Sequence, residues 1–103
     1  MANAIYYVSY KLKKGASIPD FLLASERLNN EHISKQRGYI SWKQLQDGET
    51  WADMLTFETM DDLKHFQEVS QTPGEVALAF YAFLNLNSCK FHPFSVEKTY
   101  GSD

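Results

Sequence analysis

The chain has a single cysteine, Cys89, among its 103 residues. No disulfide can therefore close within it, no CxxC-type pair can ligate a metal, and a reducing compartment is the default expectation. Positive charge is also scarce. Ten Lys and Arg stand against thirteen Asp and Glu, for a net charge of −3, and the basic residues form no stripe interleaved with aromatics. Nucleic acid is thereby excluded as an expected partner. Long apolar runs are missing too: the longest, Val76 to Leu84, has nine residues, where a membrane span needs ~18. The start, Met1-Ala2-Asn3, shows no basic stretch followed by an apolar run. The expectation is a cytoplasmic protein with no membrane partner. There are no repeats, linkers or low-complexity segments, and the length suits one domain over residues 1–103.

Aromatic residues are abundant, at 15% of the chain, which favours a pocket or an interface. They sit within a readable order of elements. Ala4 to Leu12 alternates as a strand. Ser17 with Asp20 forms a capping pattern for a first helix from Ile18 to about Gln36, which Arg37-Gly38 ends. Tyr39 to Gln46 and Thr50 to Glu58 read as strands joined at Asp47-Gly48. A two-residue loop would pair Trp42 with Asp53. A three-residue loop would pair Lys43 with Asp53 and Leu45 with Trp51, and is favoured because it matches charge with charge and apolar with apolar groups. Thr59 with Asp62 opens a second helix with the stripe Leu63, Phe66 and Val69. Pro73-Gly74 breaks it, and a third helix is expected from Glu75 to about Leu86. That helix is apolar nearly all round, which calls for cover from a second subunit. Ser88 to Lys98 is the last strand, placed at an edge by Pro93, and Tyr100 to Asp103 is a polar tail.

The most telling local feature is a polar seam on the first helix. At ~100° per residue, Phe21, Leu22, Leu28 and Ile33 share one side, yet Ser25, Asn29, His32 and Gln36 fall between them. A buried polar group without a partner costs about 1–3 kcal/mol, so the seam predicts water or a ligand beneath the helix. His32 can exchange protons near neutrality, with an unperturbed pKa of ~6.5, and Asn29 one turn earlier could orient it or polarise a substrate oxygen. The competing reading of His32 is a half-buried histidine bonded to a backbone carbonyl.

Asp53 shares a strand face with Trp51, Leu55 and Phe57. A carboxylate among aromatics has its pKa raised by desolvation and becomes a credible base; the alternative is an ion pair with Lys43. Trp42, Trp51, Tyr39, Tyr7 and Tyr10 could stack on a planar ligand, although core packing is the better explanation of any one of them. Ser25 and Gln36 complete the expected binding set. His65 reads as solvated and His92 as lying at a subunit boundary. Cys89 lacks a neighbouring base, and no spacing of the three histidines would chelate a metal.

The order β-α-β-β-α-α-β is an α+β, ferredoxin-like split βαβ with an extra helix before the last strand. With Gly38-Tyr39 opening the second strand, Phe57-Glu58-Thr59 closing the third, Leu63, Pro73 and a final Val96-Glu97, the chain resembles the antibiotic-biosynthesis-monooxygenase group of the dimeric α+β barrel superfamily. The resemblance implies an antiparallel sheet that pairs with a second copy to form a barrel. It also implies a ligand held between sheet and helices, and cofactor-independent oxygenation or isomerisation of an aromatic or polyketide-like compound. It brings no cofactor and no metal. Many members carry a Glu, a Trp and a His where this chain has Leu55, Phe57 and Phe66, and the haem-degrading branch has a Trp and a His near Val69 and Ala79. Haem degradation is thereby disfavoured, and His32, Asp53 and Asn29 would have to supply the chemistry. The alternative is a non-catalytic ligand-binding or assembly module of the same fold.

Overall fold

The computed structural model describes residues 2–101; Met1 and the last two residues of the expected polar tail lie outside the described residues. The first strand, β1 (Ala4–Leu12), leads to helix α1 (Ile18–Glu31), a short 3-10 turn (Ile33–Lys35), and the hairpin β2 (Tyr39–Asp47) and β3 (Thr50–Phe57). Helices α2 (Met60–Val69) and α3 (Glu75–Tyr81) precede β4 (Leu84–Ser95). All pairings are antiparallel and the strand order is β2-β3-β1-β4. β1 and β2 therefore run parallel with β3 between them, as do β3 and β4 with β1 between them. These are the two interlocked split βαβ units of a ferredoxin-like α+β fold.

Both expected helix caps are present. The Ser17 hydroxyl accepts from Asp20 N at 3.3 Å and the Thr59 hydroxyl from Asp62 N at 3.1 Å, so each satisfies an amide that the first turn would leave orphaned. The core lies between the helices and one face of the sheet. Phe21 of α1 meets Trp51 edge-on at 5.1 Å and Phe80 of α3 at 5.3 Å, and Phe66 of α2 packs on Phe57 at 5.3 Å.

Four boundaries differ from the sequence reading by three residues or more. α1 stops at Glu31, because the backbone breaks at His32 (φ −135, ψ −64) within a run of weak helix formers, Asn29, Asn30 and His32. The break turns Ile33 into the core. α3 ends at Tyr81, five residues early. An apolar run does not choose between helix and strand, and Leu84 instead starts β4 opposite Leu12, buried against the core. β4 accordingly starts before Ser88 and ends at Ser95. It is an edge strand, which suits Pro93.

The hairpin register also departs from both expectations. Asp47 pairs with Thr50, Gln46 with Trp51 and Gln44 with Asp53, so the loop is Gly48-Glu49. Gly48 has φ +60 and Glu49 does not share the positive φ, the pattern of a turn with glycine at its first central position. Lys43 pairs with Met54 instead, on the opposite face of the sheet from Asp53.

Candidate active site

Along β3 the residues facing the helices are Trp51, Asp53, Leu55 and Phe57, all buried, as the alternation of the strand requires. Beside them a cavity of about 530 Å³ opens between the sheet and the helices. Its walls are mostly aromatic and aliphatic, with Tyr6 and Tyr10 from β1, Trp42 from β2, Phe66 from α2 and Phe80 from α3. Gln67, Ser70 and Gln71 at the end of α2, and Leu86, Cys89 and Phe91 of β4, complete it. Apolar walls with few placed polar groups are the general form of a small-molecule site.

Asp53 is the acid in that wall. It is 5% exposed, and its one hydrogen bond among the described residues comes from the Tyr10 hydroxyl to Oδ1, at 2.9 Å. Burial raises its pKa to about 7, against the smaller opposing effects of the Tyr10 hydroxyl and the Trp42 indole, which favour the charged form. The Trp42 Nε1 is itself buried and makes no well-aligned hydrogen bond among the described residues. Tyr10 is held protonated by burial and by the adjacent Asp53 charge. Burial, and then the charge of Asp53, raise the Cys89 thiol above its usual range, so it is no activated nucleophile. Among the described residues no Lys, Arg or His lines the cavity, and no group of His, Cys, Asp and Glu could hold a metal ion.

The polar seam of α1 is met by protein rather than left open. Ser25, 2% exposed, donates to Phe21 O at 2.8 Å and accepts from Gln44 Nε2 of β2 at 2.9 Å. Asn29 Oδ1 accepts from the Tyr39 hydroxyl at 3.0 Å. Beyond the helix break, Gln36 Nε2 donates to the His32 carbonyl at 3.2 Å and lies 3.4 Å from its ring Nδ1. The seam thus stitches α1 to β2 and closes its own end. The cavity lies alongside, reached from α1 only through Leu28.

Of the residues expected from sequence, Asp53, Trp42 and Tyr10 are brought together in the cavity. Ser25, Asn29, His32, Gln36, Tyr39 and Trp51 lie outside its lining, and Tyr7 points from the opposite face of the sheet, where it pairs with Met54 and His92. Tyr10 was legible as one of the aromatics that could stack on a ligand. Gln44 is the addition; it stands across the ladder from Asp53 but outside the lining. Gln44 was hidden by the register, since pairing Asp53 with Lys43 turns Gln44 to the other face.

No family model matches the chain, and no curated protein matches it by sequence. Solved structures do share its fold. SnoaB, a cofactor-independent oxygenase from Streptomyces nogalater, superposes with a TM-score of 0.74 over 99% of this chain and 100% of its own, at 13% identity. A candidate antibiotic biosynthesis monooxygenase from Bacillus cereus has a TM-score of 0.63 at 18% identity, covering 99% of this chain and 100% of its own. A dimeric ferredoxin-like protein from an uncultured marine organism has a TM-score of 0.65 at 10% identity, covering 100% and 95%.

Proposed function

We propose that the chain is a homodimeric small-molecule-binding enzyme of the ferredoxin-like fold. It acts on an aromatic or polyketide-like compound held between sheet and helices, and the reaction begins with proton abstraction by Asp53. The observation that carries this reading is the buried carboxylate on an aromatic wall, its pKa raised to about 7. A base works best when its pKa lies near the operating pH. Proton transfer from a C–H or O–H of the substrate to Asp53 leaves a delocalised anion. Isomerisation returns that proton at another carbon, whereas oxygenation requires dioxygen as the co-reactant that takes up the electrons. The similarity in fold to a cofactor-independent oxygenase supports the second course. His32 and Asn29 stand beside the cavity and are assigned no step.

The lining also bears on the substrate. With Asp53 as the only Asp or Glu and no Lys, Arg or His among the lining residues, a carboxylate or phosphate on the ligand would find no counter-charge. The substrate is a neutral molecule with one proton to give.

The test is Asp53→Asn, compared with the unmodified protein against a panel of hydroxylated polycyclic aromatics. Dioxygen uptake and substrate isomerisation report turnover, and native mass spectrometry reports binding. Loss of turnover by about 100-fold or more with binding retained is the expected outcome; undiminished turnover would sink the assignment. One observation favours a non-catalytic binding module instead: the cavity offers no second group poised to titrate near neutrality, because Tyr10, Tyr81 and Cys89 are all raised. Tight binding with no turnover by the unmodified protein across the panel would select that reading.

A further inference from the structure

Gln44 stands directly across the β2–β3 ladder from Asp53, and both side chains lie on the helix side of the sheet. A long amide opposite a buried carboxylate has every electrostatic reason to donate to it, since hydrogen bonds to a charged acceptor are the strong ones. It does not. Gln44 Nε2 donates to Ser25 Oγ at 2.9 Å. The Ser25 proton is committed to the Phe21 carbonyl one turn back, at 2.8 Å, so its oxygen can only accept, and this fixes the amide with nitrogen toward α1. The same amide also faces the Tyr10 oxygen and favours its charged form, while the Tyr10 proton goes to Asp53 Oδ1 at 2.9 Å. The Gln44 donor therefore points toward the seam of α1 and away from Asp53, whose hydrogen bond among the described residues is the one from Tyr10, the Trp42 indole lying near without a well-aligned bond.

We propose that Ser25 and Gln44 are positioning residues for Asp53: by holding the Gln44 amide on α1, the Ser25 hydroxyl keeps that donor off the carboxylate, which is left with the Tyr10 bond and the poorly aligned Trp42 indole and can accept a proton from a molecule in the cavity. This rests on reading Asp53 as the base of the site. It gives the polar seam a role at a distance, since Ser25 never touches the cavity yet decides which donors reach its acid. The other titratable groups that line the cavity are Tyr6 and Tyr10 of β1, Tyr81 of α3 and Cys89 of β4; α1 and α2 present Leu28, Phe66 and Gln67, which carry no charge.

The experiment is a carbon-detected NMR titration of the Asp53 carboxyl in the ligand-free chain, so that it succeeds or fails without any substrate. In Ser25→Ala the Gln44 amide loses its anchor and swings to Asp53, and the titration midpoint should fall by about one pH unit, the effect of one added hydrogen bond to the charged form. Ser25→Cys keeps the volume and loses most of the accepting power, and should shift in the same direction if the alanine variant is poorly folded. Gln44→Leu removes the donor that would swing, so Ser25→Ala combined with Gln44→Leu should match Gln44→Leu alone. An unchanged midpoint in Ser25→Ala and Ser25→Cys would overturn the proposal. A fall that persists in the double variant would overturn it as well, because water rather than Gln44 would then be the new partner. Failure of Asp53→Asn to lose turnover would count against the base assignment alone and leave these midpoints standing.

Discussion

The Tyr10 hydroxyl donates a 2.9 Å hydrogen bond to Asp53 Oδ1, joining two buried side chains 43 residues apart. The two residues are diagonal neighbours on the helix face, because Val8 lies directly opposite Asp53 and Tyr10 opposite Trp51. No Lys, Arg or His among the described residues lines the cavity beside this carboxylate, and the Tyr10 phenol and Trp42 indole do not repay its desolvation. The pKa is accordingly raised, not lowered.

That direction sets the pH dependence of stability. A carboxyl with a folded pKa near 7 and an ordinary unfolded value near 4 binds more protons when folded, so stability declines as pH rises through that window and levels off above it. The contribution is on the order of 2–4 kcal/mol. Urea unfolding at pH 5 and pH 8 should show the chain weaker at pH 8, and Asp53→Asn should flatten the difference. A chain that is equally stable at both pH values would contradict the burial of an ionising Asp53.

Tyr10→Phe separates the bond from the burial. Since the hydroxyl favours the charged carboxylate, its loss should raise the Asp53 midpoint further. The cost should be about 1–3 kcal/mol at pH 8, where Asp53 is charged, and smaller at pH 5, where it is protonated. Equal losses at both pH values would mean that the phenol acts through packing against Phe21 and Phe80.

The fold was legible wherever local chemistry and periodicity agreed. β1, both side-chain caps and the edge position of β4 could be read from alternation, from Ser17 and Thr59, and from Pro93. Asp53 was legible as a buried acid because Trp51, Leu55 and Phe57 mark its face. What sequence could not give was set by tertiary competition. The break at His32 is decided by the burial of Ile33, and the end of α3 by the pairing of Leu84 with Leu12. The hairpin turned on a shift of one residue, which reverses the face of every side chain in a strand. It moved Lys43 away from Asp53 and put Gln44 in its place, so the network from Ser25 to Asp53 could not be seen beforehand.

β4 supplies a stability prediction away from the site. Between Ser9–Lys90 and Lys11–Asn85 the ladder is interrupted by a bulge in β4. The Ser88 hydroxyl fills the gap, accepting from Lys11 N at 2.8 Å and donating to Asn85 O at 2.6 Å. Ser88→Ala should leave both backbone groups unpaired, at a cost of about 1–2 kcal/mol, and the Lys11 amide should exchange with deuterium distinctly faster. Unchanged exchange at Lys11 would show that solvent already replaces the hydroxyl.

Gly38, between the 3-10 turn and β2, has φ +76, and a Cβ there would overlap the Asp62 carboxylate, which also receives Arg37 at 2.8 Å. Gly38→Ala should therefore cost about 2–3 kcal/mol, from backbone strain and the displaced ion pair together. The overlap reaches Asp62 Cβ as well as the carboxylate, so Asp62→Gly in the same chain removes it, and the combined loss should fall short of the sum of the single losses. Strict additivity by thermal unfolding would remove the steric part of the argument.

The face of the sheet turned away from the helices bears on assembly. Tyr7, Leu45 and Phe94 are 37%, 43% and 50% exposed there, joined by Ile5 and Met54, on a surface that the three helices leave uncovered. Exposed apolar side chains of this size, although interspersed here with Lys43 and His92, suit an interface. A second copy could cover it sheet to sheet, burying about 800 Å² per partner in an interface of ordinary size. Sedimentation at micromolar concentration should give a dimer. Replacing Leu45 with Lys and Phe94 with Glu should weaken it by about 10-fold or more, without changing the Asp53 midpoint, because the cavity lies on the opposite side of the sheet. Leu78, the exposed apolar residue of α3, provides the control. If Leu78→Lys dissociates the dimer and the sheet variants do not, association runs through the helices as the apolar run of α3 first suggested, and a barrel formed by two sheets is wrong for this chain.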